Sequence, residues 1–544
     1  MSELYNTRQR AAKRVKVKPD TIAPMFLLIT VGILISTALI LLILRFALPS
    51  FRFAWLTAAG GALLAWGSMF FWQAGMPAQI RFPLWQPENI FRQSPSFVLD
   101  GISWAFAFSV VTVGLSVIVT SVARENFPGL LGWVGVLAMT AIGVLAVTAG
   151  NPLTLVLLWA AMDLTEFIAQ MRFVEEPRLS ERAVISFASR VTGILILLWA
   201  GMVSAAEGAE LNFLSPPPRA GLYLVVAAAF RLGILPLHLP YASESSFRRG
   251  FGTTLRTVSA GSSLILLARV PLSGIESPIT PYLILLVAAA ALYGGWMWLR
   301  SPDELAGRPF WLIGMGGLAV AAALRGNPIG ATAWSCALML AGGALFLVSA
   351  ENRWQDKALL IGAWGASSLP FSLTASGWVS QGGRFWYAVP FLIAAQVMLL
   401  AGYIRMSRRA PQRSGFENQP IWAKNVYPFG IYVILFTILL LGWFGWEGAL
   451  QTGNWVAALF AALLTLFLLW LAVRVRALNP VRAHWVRSAE AAWLDAVYQT
   501  VWETYRALRR LTALFSSVLE GESGVMWTLL FLVLFITFLI QGTP

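Results

Sequence analysis

GLYLVVAAAFRLGILPLHLPYASESSFRRGFGTTLRTVSAGSSLILLAR, from Gly221 to Arg269, decides how the rest of the chain is read. It opens as an apolar run able to enter a bilayer, yet Arg231 sits inside that run and Pro236 and His238 interrupt it. A cation in hydrocarbon is costly, and a helix broken at membrane depth is tolerated only where protein or a water-filled cavity surrounds it. A cation beside a break therefore points to an ion path. A Pro-kinked helix whose Arg pairs with a neighbouring carboxylate accounts for the same residues without one.

Composition places this stretch in a polytopic membrane protein. The 544 residues are 58% hydrophobic and only 12% charged, and no soluble domain of this length needs so many apolar runs of about twenty residues. The net charge of +14 lies mainly in loops and tails, where orientation and anionic lipid explain it better than nucleic acid. One cysteine, Cys336, and two histidines, His238 and His484, leave no disulfide framework, no metal centre and no haem ligation, so no cofactor is expected. The N-terminal MSELYNTRQRAAKRVKVKP lacks a small-residue cleavage site and reads as a retained basic tail.

Sixteen apolar helices can be counted, the first near 25–48 and the last near 524–541. The fifth carries Asp163 and Glu166, three residues apart and so neighbours on one helix face. Each costs on the order of 2.5–3.5 kcal/mol at mid-bilayer even on lenient insertion scales, so the pair needs a reason. The sixth helix holds Arg190 with no acid of its own, and Asp163 or Glu166 is the natural source of the missing charge. The eighth begins with Arg256. Arginine does not release its proton in proteins, so Arg231 and Arg256 are poor proton carriers.

The register of Ala228-Ala229-Phe230-Arg231, Pro236 and His238 resembles the A-A-F-x-K-S-x-x-x-P-x-H pattern in the seventh span of the antiporter-like membrane subunits of respiratory complex I and the Mrp-type cation/proton antiporters, with Arg231 in the lysine position. Sixteen spans point to the long, L-type members. The loop ending Val98-Leu99-Asp100-Gly101-Ile102-Ser103 is similar to the family's V-D-G-L-S entry to its third span, where Asp100 is placed to cap a helix. The resemblance implies an all-α fold with two inverted five-helix repeats, about spans 4–8 and 9–13, broken at Pro236 in helix 7 and Pro370 in helix 12. It also implies protons or monovalent cations as the species moved, and other membrane subunits as partners.

Four positions depart from the family. Trp159-Ala160 stands for its Trp-Glu, with Asp163 read as one turn further along the same face. Gly193 stands for the aspartate of T-R-V-G-D, Arg231 for the lysine, and Trp378 for the exit-side Lys or Glu after Pro370.

The segments expected are a basic tail over 1–24, spans 1–3 over 25–127, the two repeats over 128–271 and 272–406, spans 14–15 over 407–476, an amphipathic lateral helix over 477–523 and a final span over 524–544. A lateral helix of about 38 residues would reach roughly 57 Å, enough for one neighbouring subunit. Lys and Arg concentrate in loops after odd-numbered spans, which assigns those loops to the cytoplasm of an inner (plasma) membrane and the tail to the outside. The tail's own Arg8, Arg10, Lys13, Arg14, Lys16 and Lys18 conflict with that, and a miscounted early span would remove the conflict. Two functions stand side by side. One is proton or cation translocation through Asp163, Glu166, Arg190, Arg231, His238 and Arg256; the other is a non-conducting docking subunit. A role in inorganic-carbon uptake is selected by nothing here, and independent catalysis is not expected beyond membership of an NADH:quinone oxidoreductase-like complex, for no phosphate loop, metal cluster or nucleophile motif is present.

Overall fold

The structure is a computed structural model. It describes residues 22–48, 51–82, 94–123, 129–173, 177–241, 249–349, 353–379, 384–408, 420–446 and 455–475, with three isolated residues further on. The basic tail, the lateral helix expected over 477–523 and the final span expected over 524–544 lie outside the described residues.

Fifteen α-helices form this part: α1 (Ile22–Ala47), α2 (Ala54–Ser68), α3 (Gly101–Thr120), α4 (Leu130–Val147), α5 (Pro152–Phe173), α6 (Pro177–Ala206), α7 (Ala220–Arg231), α8 (Phe251–Ala268), α9 (Thr280–Arg300), α10 (Arg308–Leu324), α11 (Pro328–Leu347), α12 (Arg353–Gly365), α13 (Val389–Ser407), α14 (Ile421–Trp443) and α15 (Trp455–Val475). Ten helices among the described residues are long and apolar enough to cross a membrane, which makes the chain a multi-pass membrane protein. Of the other six expected spans, the last lies outside the described residues, and the helices at the remaining five (α7, α8, α10, α12 and α15) fall short of the length or apolarity that a crossing needs. Runs that read as one span in sequence stop early as helices: α7 ends at Arg231 where a span to 238 was expected, and α12 ends at Gly365 where one to 380 was expected. The first three expected spans stand as separate helices.

Burial follows pattern. α3 (GISWAFAFSVVTVGLSVIVT) and α11 are apolar around their whole circumference, and nearly every residue of both is buried. They pack on each other, with α3 also against α14 and α4 and α11 against α8 and α10. α1, by contrast, exposes Leu28, Leu39 and Ile43 on one side. Close approach of α9 and α10 needs small residues, for a Cβ on Gly294 would lie 2.5 Å from the Gly314 nitrogen.

Two short strands, β1 (Ala78–Arg81) and β2 (Ser96–Leu99), pair antiparallel and lead directly into α3. There Asp100 caps the helix as expected: its Oδ1 accepts from the Ser103 amide at 2.9 Å, and the Asp100 amide donates to Ser103 Oγ at 3.4 Å. Arg269, at the C-terminus of α8, donates to Asp100 Oδ1 at 2.9 Å and to Ser103 Oγ at 3.0 Å, so one carboxylate ties the start of α3 to the end of α8. Burial raises the Asp100 carboxyl, but the Arg269 hydrogen bond and charge, with Ser103, outweigh it and hold the group below its ordinary value.

A group depressed on folding stabilises above its unfolded value and loses that contribution as pH falls through the folded one. Asp100→Ala should therefore lower stability in detergent by about 2 kcal/mol at neutral pH, from the lost cap and the unpaired Arg269. The difference from wild type should shrink once acid protonates Asp100. Equal destabilisation at neutral and strongly acidic pH would contradict this origin.

Candidate functional site

Trp159, Asp163, Glu166 and Gln170 fall at i, i+4, i+7 and i+11 of α5 and are all buried, so the helix turns one polar stripe inward. Ala160, 100° round from Trp159, is exposed on the outer face. Asp163, three residues on from Ala160 and about 60° round the helix, is buried where Ala160 is exposed.

Three arginines meet this stripe. Arg231, the last residue of α7, holds Asp163 bidentately, with Nη1 2.6 Å from Oδ2 and Nη2 2.8 Å from Oδ1. Its Nε donates to Ser263 Oγ of α8 at 3.1 Å, its Nη1 donates to the Arg190 carbonyl of α6 at 3.1 Å, and its guanidinium lies 4.1 Å from the centre of the Trp159 ring. Arg190 of α6 donates to both oxygens of Glu166, reaches Ser186 Oγ at 3.2 Å and comes within 3.6 Å of Asp163 Oδ1. Arg256 of α8 pairs with Glu166 Oε1 and stacks 3.9 Å from the centre of the Tyr241 ring. Gln170 Nε2 donates to Glu166 Oε1 at 2.9 Å. All three arginines and both acids are at most 5% exposed.

Gly193 explains how Arg231 fits. A Cβ there would lie 2.4 Å from Arg231 Cγ. Gly193 and Arg231 are therefore sterically coupled: the side chain at 231 crosses α6 over the place that a side chain at 193 would fill.

His238 stands apart. Its Nδ1 is 2.8 Å from the Pro236 carbonyl oxygen and its ring packs on Phe230 at 5.4 Å, while Nε2 is buried without a hydrogen-bond partner. Nothing among the described contacts joins it to the carboxylates.

The second break is neutral by comparison. After α12 the backbone turns through Ser368 and Phe371 at φ of 61° and 63°, a left-handed conformation costly for residues other than glycine. Pro370 lies between them. Gln396 of α13 organises the segment: its Nε2 donates to the Ala366 carbonyl at 3.1 Å and Ser368 Oγ at 3.2 Å, and its Oε1 accepts from Trp378 Nε1 at 3.1 Å. Asn327 Nδ2 donates to the Ser376 and Val379 carbonyls at 2.8 and 2.9 Å. Neutral amides thus satisfy backbone groups that the break frees. The charged neighbour here is Arg325, 6.0 Å from the Trp378 ring.

Sequence reasoning named the five ionisable residues of the first cluster but missed Gln170, Ser263, Tyr241 and Gln396. Gln170 was visible at i+4 from Glu166; the others depend on long-range packing. Buried Arg308, at the start of α10 with its guanidinium 5.1 Å from the Phe346 ring, was also missed.

No protein-family model and no curated protein matches the sequence. Solved structures do. A chain of the Mrp complex from a Dietzia species aligns with a TM-score of 0.71 at 16% identity over 95% of this chain and 63% of its own length, so this chain spans less than two thirds of that relative. A chain of an archaeal respiratory complex, the membrane-bound sulfane sulfur reductase, aligns at 0.63 and 15% identity over 93% of this chain and all of its own. One from Thermus thermophilus respiratory complex I aligns at 0.55 and 17% identity over 76% of this chain and 97% of its own.

If Gly193 exists to admit Arg231, Gly193→Ala should destabilise by about 1–3 kcal/mol through overpacking, although alanine favours helix. Shortening residue 231 in the same protein, as Gly193→Ala with Arg231→Ala, should make the added methyl nearly neutral. An equal methyl cost in both backgrounds would show that the two residues are independent.

The chain thus shares its fold with chains of the Mrp, sulfane sulfur reductase and complex I assemblies, the group whose antiporter-like subunits its sequence resembles.

Proposed function

We propose that this chain is an antiporter-like subunit of a multi-subunit assembly of the complex I and Mrp kind in an inner (plasma) membrane, and that its first five-helix unit holds fixed charge instead of moving it. We read α4–α8 and α9–α13 as the two inverted units, with interrupted helices α7 and α12 at matching places.

One observation carries the fixed-charge reading: each inward carboxylate is gripped on both oxygens by a guanidinium, Asp163 by Arg231 and Glu166 by Arg190. A proton relay needs a group that binds and releases a proton, and a site for that proton to occupy. Arginine does not release one. The carboxylate oxygens are already engaged, and Arg256 adds a third cation, so three positive and two negative charges leave the cluster at +1. Such a net positive, buried lattice repels an incoming proton or monovalent cation. Beyond it the second break offers an indole and amides where a titratable residue would be needed. The subunit's contribution is then to complete and hold the membrane arm of its assembly.

Translocation of protons or cations remains the competing reading, and one observation favours it. His238 places a titratable ring with a partnerless Nε2 at the first break.

The two separate on a single preparation. In the assembled complex, Asp163→Asn and Glu166→Gln should reduce recovery of the subunit with its neighbours, and His238→Ala should leave recovery unchanged. Proton flux per assembled complex should be unaltered in all three. Flux lost in any of them while assembly stays intact would establish translocation and end the fixed-charge reading.

A further inference from the structure

The exposed apolar surface carries a second arrangement, independent of the arginine cluster. α14 presents Trp422, Phe429, Phe436 and Trp443 at seven-residue spacing, and each is half exposed or more. Seven residues are close to two helical turns, so the rings form one stripe, with a tryptophan at each end about 31 Å apart, close to the hydrocarbon thickness.

α2 runs beside this stripe in the same direction. Trp55 meets Trp422 with ring centres 5.7 Å apart, and Trp66 meets Phe436 at 6.4 Å. Both α2 tryptophans are fixed to α3 beneath, through Trp55 Nε1 donating to the Ile118 carbonyl and Trp66 Nε1 to Thr112 Oγ1, each at 3.0 Å. The aromatic seam from Trp55 to Trp66 covers about 16 Å, the depth of one leaflet.

Cations gather closest to the aromatic seam at one end. Arg45 closes the last turn of α1, Arg52 lies three residues before Trp55, and Lys424 lies two residues after Trp422, with Arg45 and Arg52 exposed. At the opposite ends residues 437–446 and 60–80 contain no Lys or Arg, and the first cation past α2 is exposed Arg81, thirteen residues beyond the helix in β1. Tryptophan at headgroup depth with cations beside it, above a wall of exposed rings, matches an amphiphile with an anionic head and acyl tails.

We propose that the seam between α2 and α14 is a binding site for one anionic phospholipid, in the leaflet at the α1–α2 connection. Arg52 and Lys424, with Arg45 near by, hold the phosphate and its negative headgroup, while the Trp55–Trp422 pair fixes the depth. The acyl chains lie along Phe429, Phe436 and the exposed Leu56, Leu63 and Leu64 of α2.

The test uses the full chain, exchanged into equal mixtures of phosphatidylglycerol and phosphatidylcholine, progressively delipidated and read by native mass spectrometry. One phosphatidylglycerol should be retained per chain in preference to phosphatidylcholine. The double variant Arg52→Gln with Lys424→Gln should lower that preference roughly tenfold or more, since each surface cation is worth about a tenfold change or somewhat less. Trp422→Leu should weaken retention of both lipids and keep the preference. Equal retention of the two lipids by wild type would reduce the seam to an ordinary annular surface and overturn the proposal. Undiminished preference in the double variant, with an unchanged melting temperature, would overturn it equally, by placing the headgroup elsewhere.

Discussion

A guanidinium that ends a helix inside a membrane must find its counter-charge within the protein, and the packing of α5 to α8 is arranged around the one that Arg231 finds in Asp163. The side chain crosses from the end of α7, passes α6 where Gly193 leaves room, lies on the Trp159 ring and reaches Ser263 of α8. Four helices are thereby fixed by one residue. Removing a single partner from such a pair strands a buried charge, at a cost of about 3–5 kcal/mol, so the lattice is as much a packing constraint as an electrostatic one. Glu166 extends it by engaging Arg190 and Arg256, and the polar stripe of α5 becomes the axis on which the unit closes.

The two breaks answer one backbone problem with different chemistry. Ending a helix at membrane depth frees carbonyl and amide groups that lipid cannot satisfy. At α7 the unwound residues adjoin a charged lattice; at α12 they are held by Gln396, Asn327 and Thr374, whose hydroxyl donates to the Gly365 carbonyl at 2.8 Å. The interruption at α12 is held by neutral groups, so an interrupted helix does not by itself require a titratable residue beside it. Shared fold with transporter assemblies therefore says little about whether this member moves an ion, and the side chains must decide.

Much of this was legible in the sequence because hydrocarbon restricts what a residue can do. The fifteen described helices each overlap a run that apolar length alone marked, though α2, α7 and α12 stop well short of the run's end and α6 and α14 begin about six residues before its start. That Asp163, Glu166, Arg190, Arg231 and Arg256 share one interior followed from the cost of facing lipid. Which carboxylate meets which arginine did not, since it depends on helix rotation: Arg190 takes Glu166 first, leaving Asp163 to Arg231. Helix rotation also turns Ala160 outward, which linear comparison with Trp-Glu could not show. The dependence of Arg231 on Gly193 was hidden because a missing side chain has meaning only beside the neighbour that fills its space. Gln396 and Tyr241 carry no local pattern at all and are found only by proximity.

The central claim is that the inward carboxylates of α5 are permanently engaged, and their protonation is open to direct observation. Isotope-edited infrared difference spectra of the assembled complex would be recorded from about pH 8 down to about pH 5, the range that a working proton carrier has to cross. Bands would be assigned through Asp163→Asn and Glu166→Gln. The account predicts carboxylate bands of constant intensity throughout. A protonated-carboxyl band that grows with acid and disappears in either variant would contradict it.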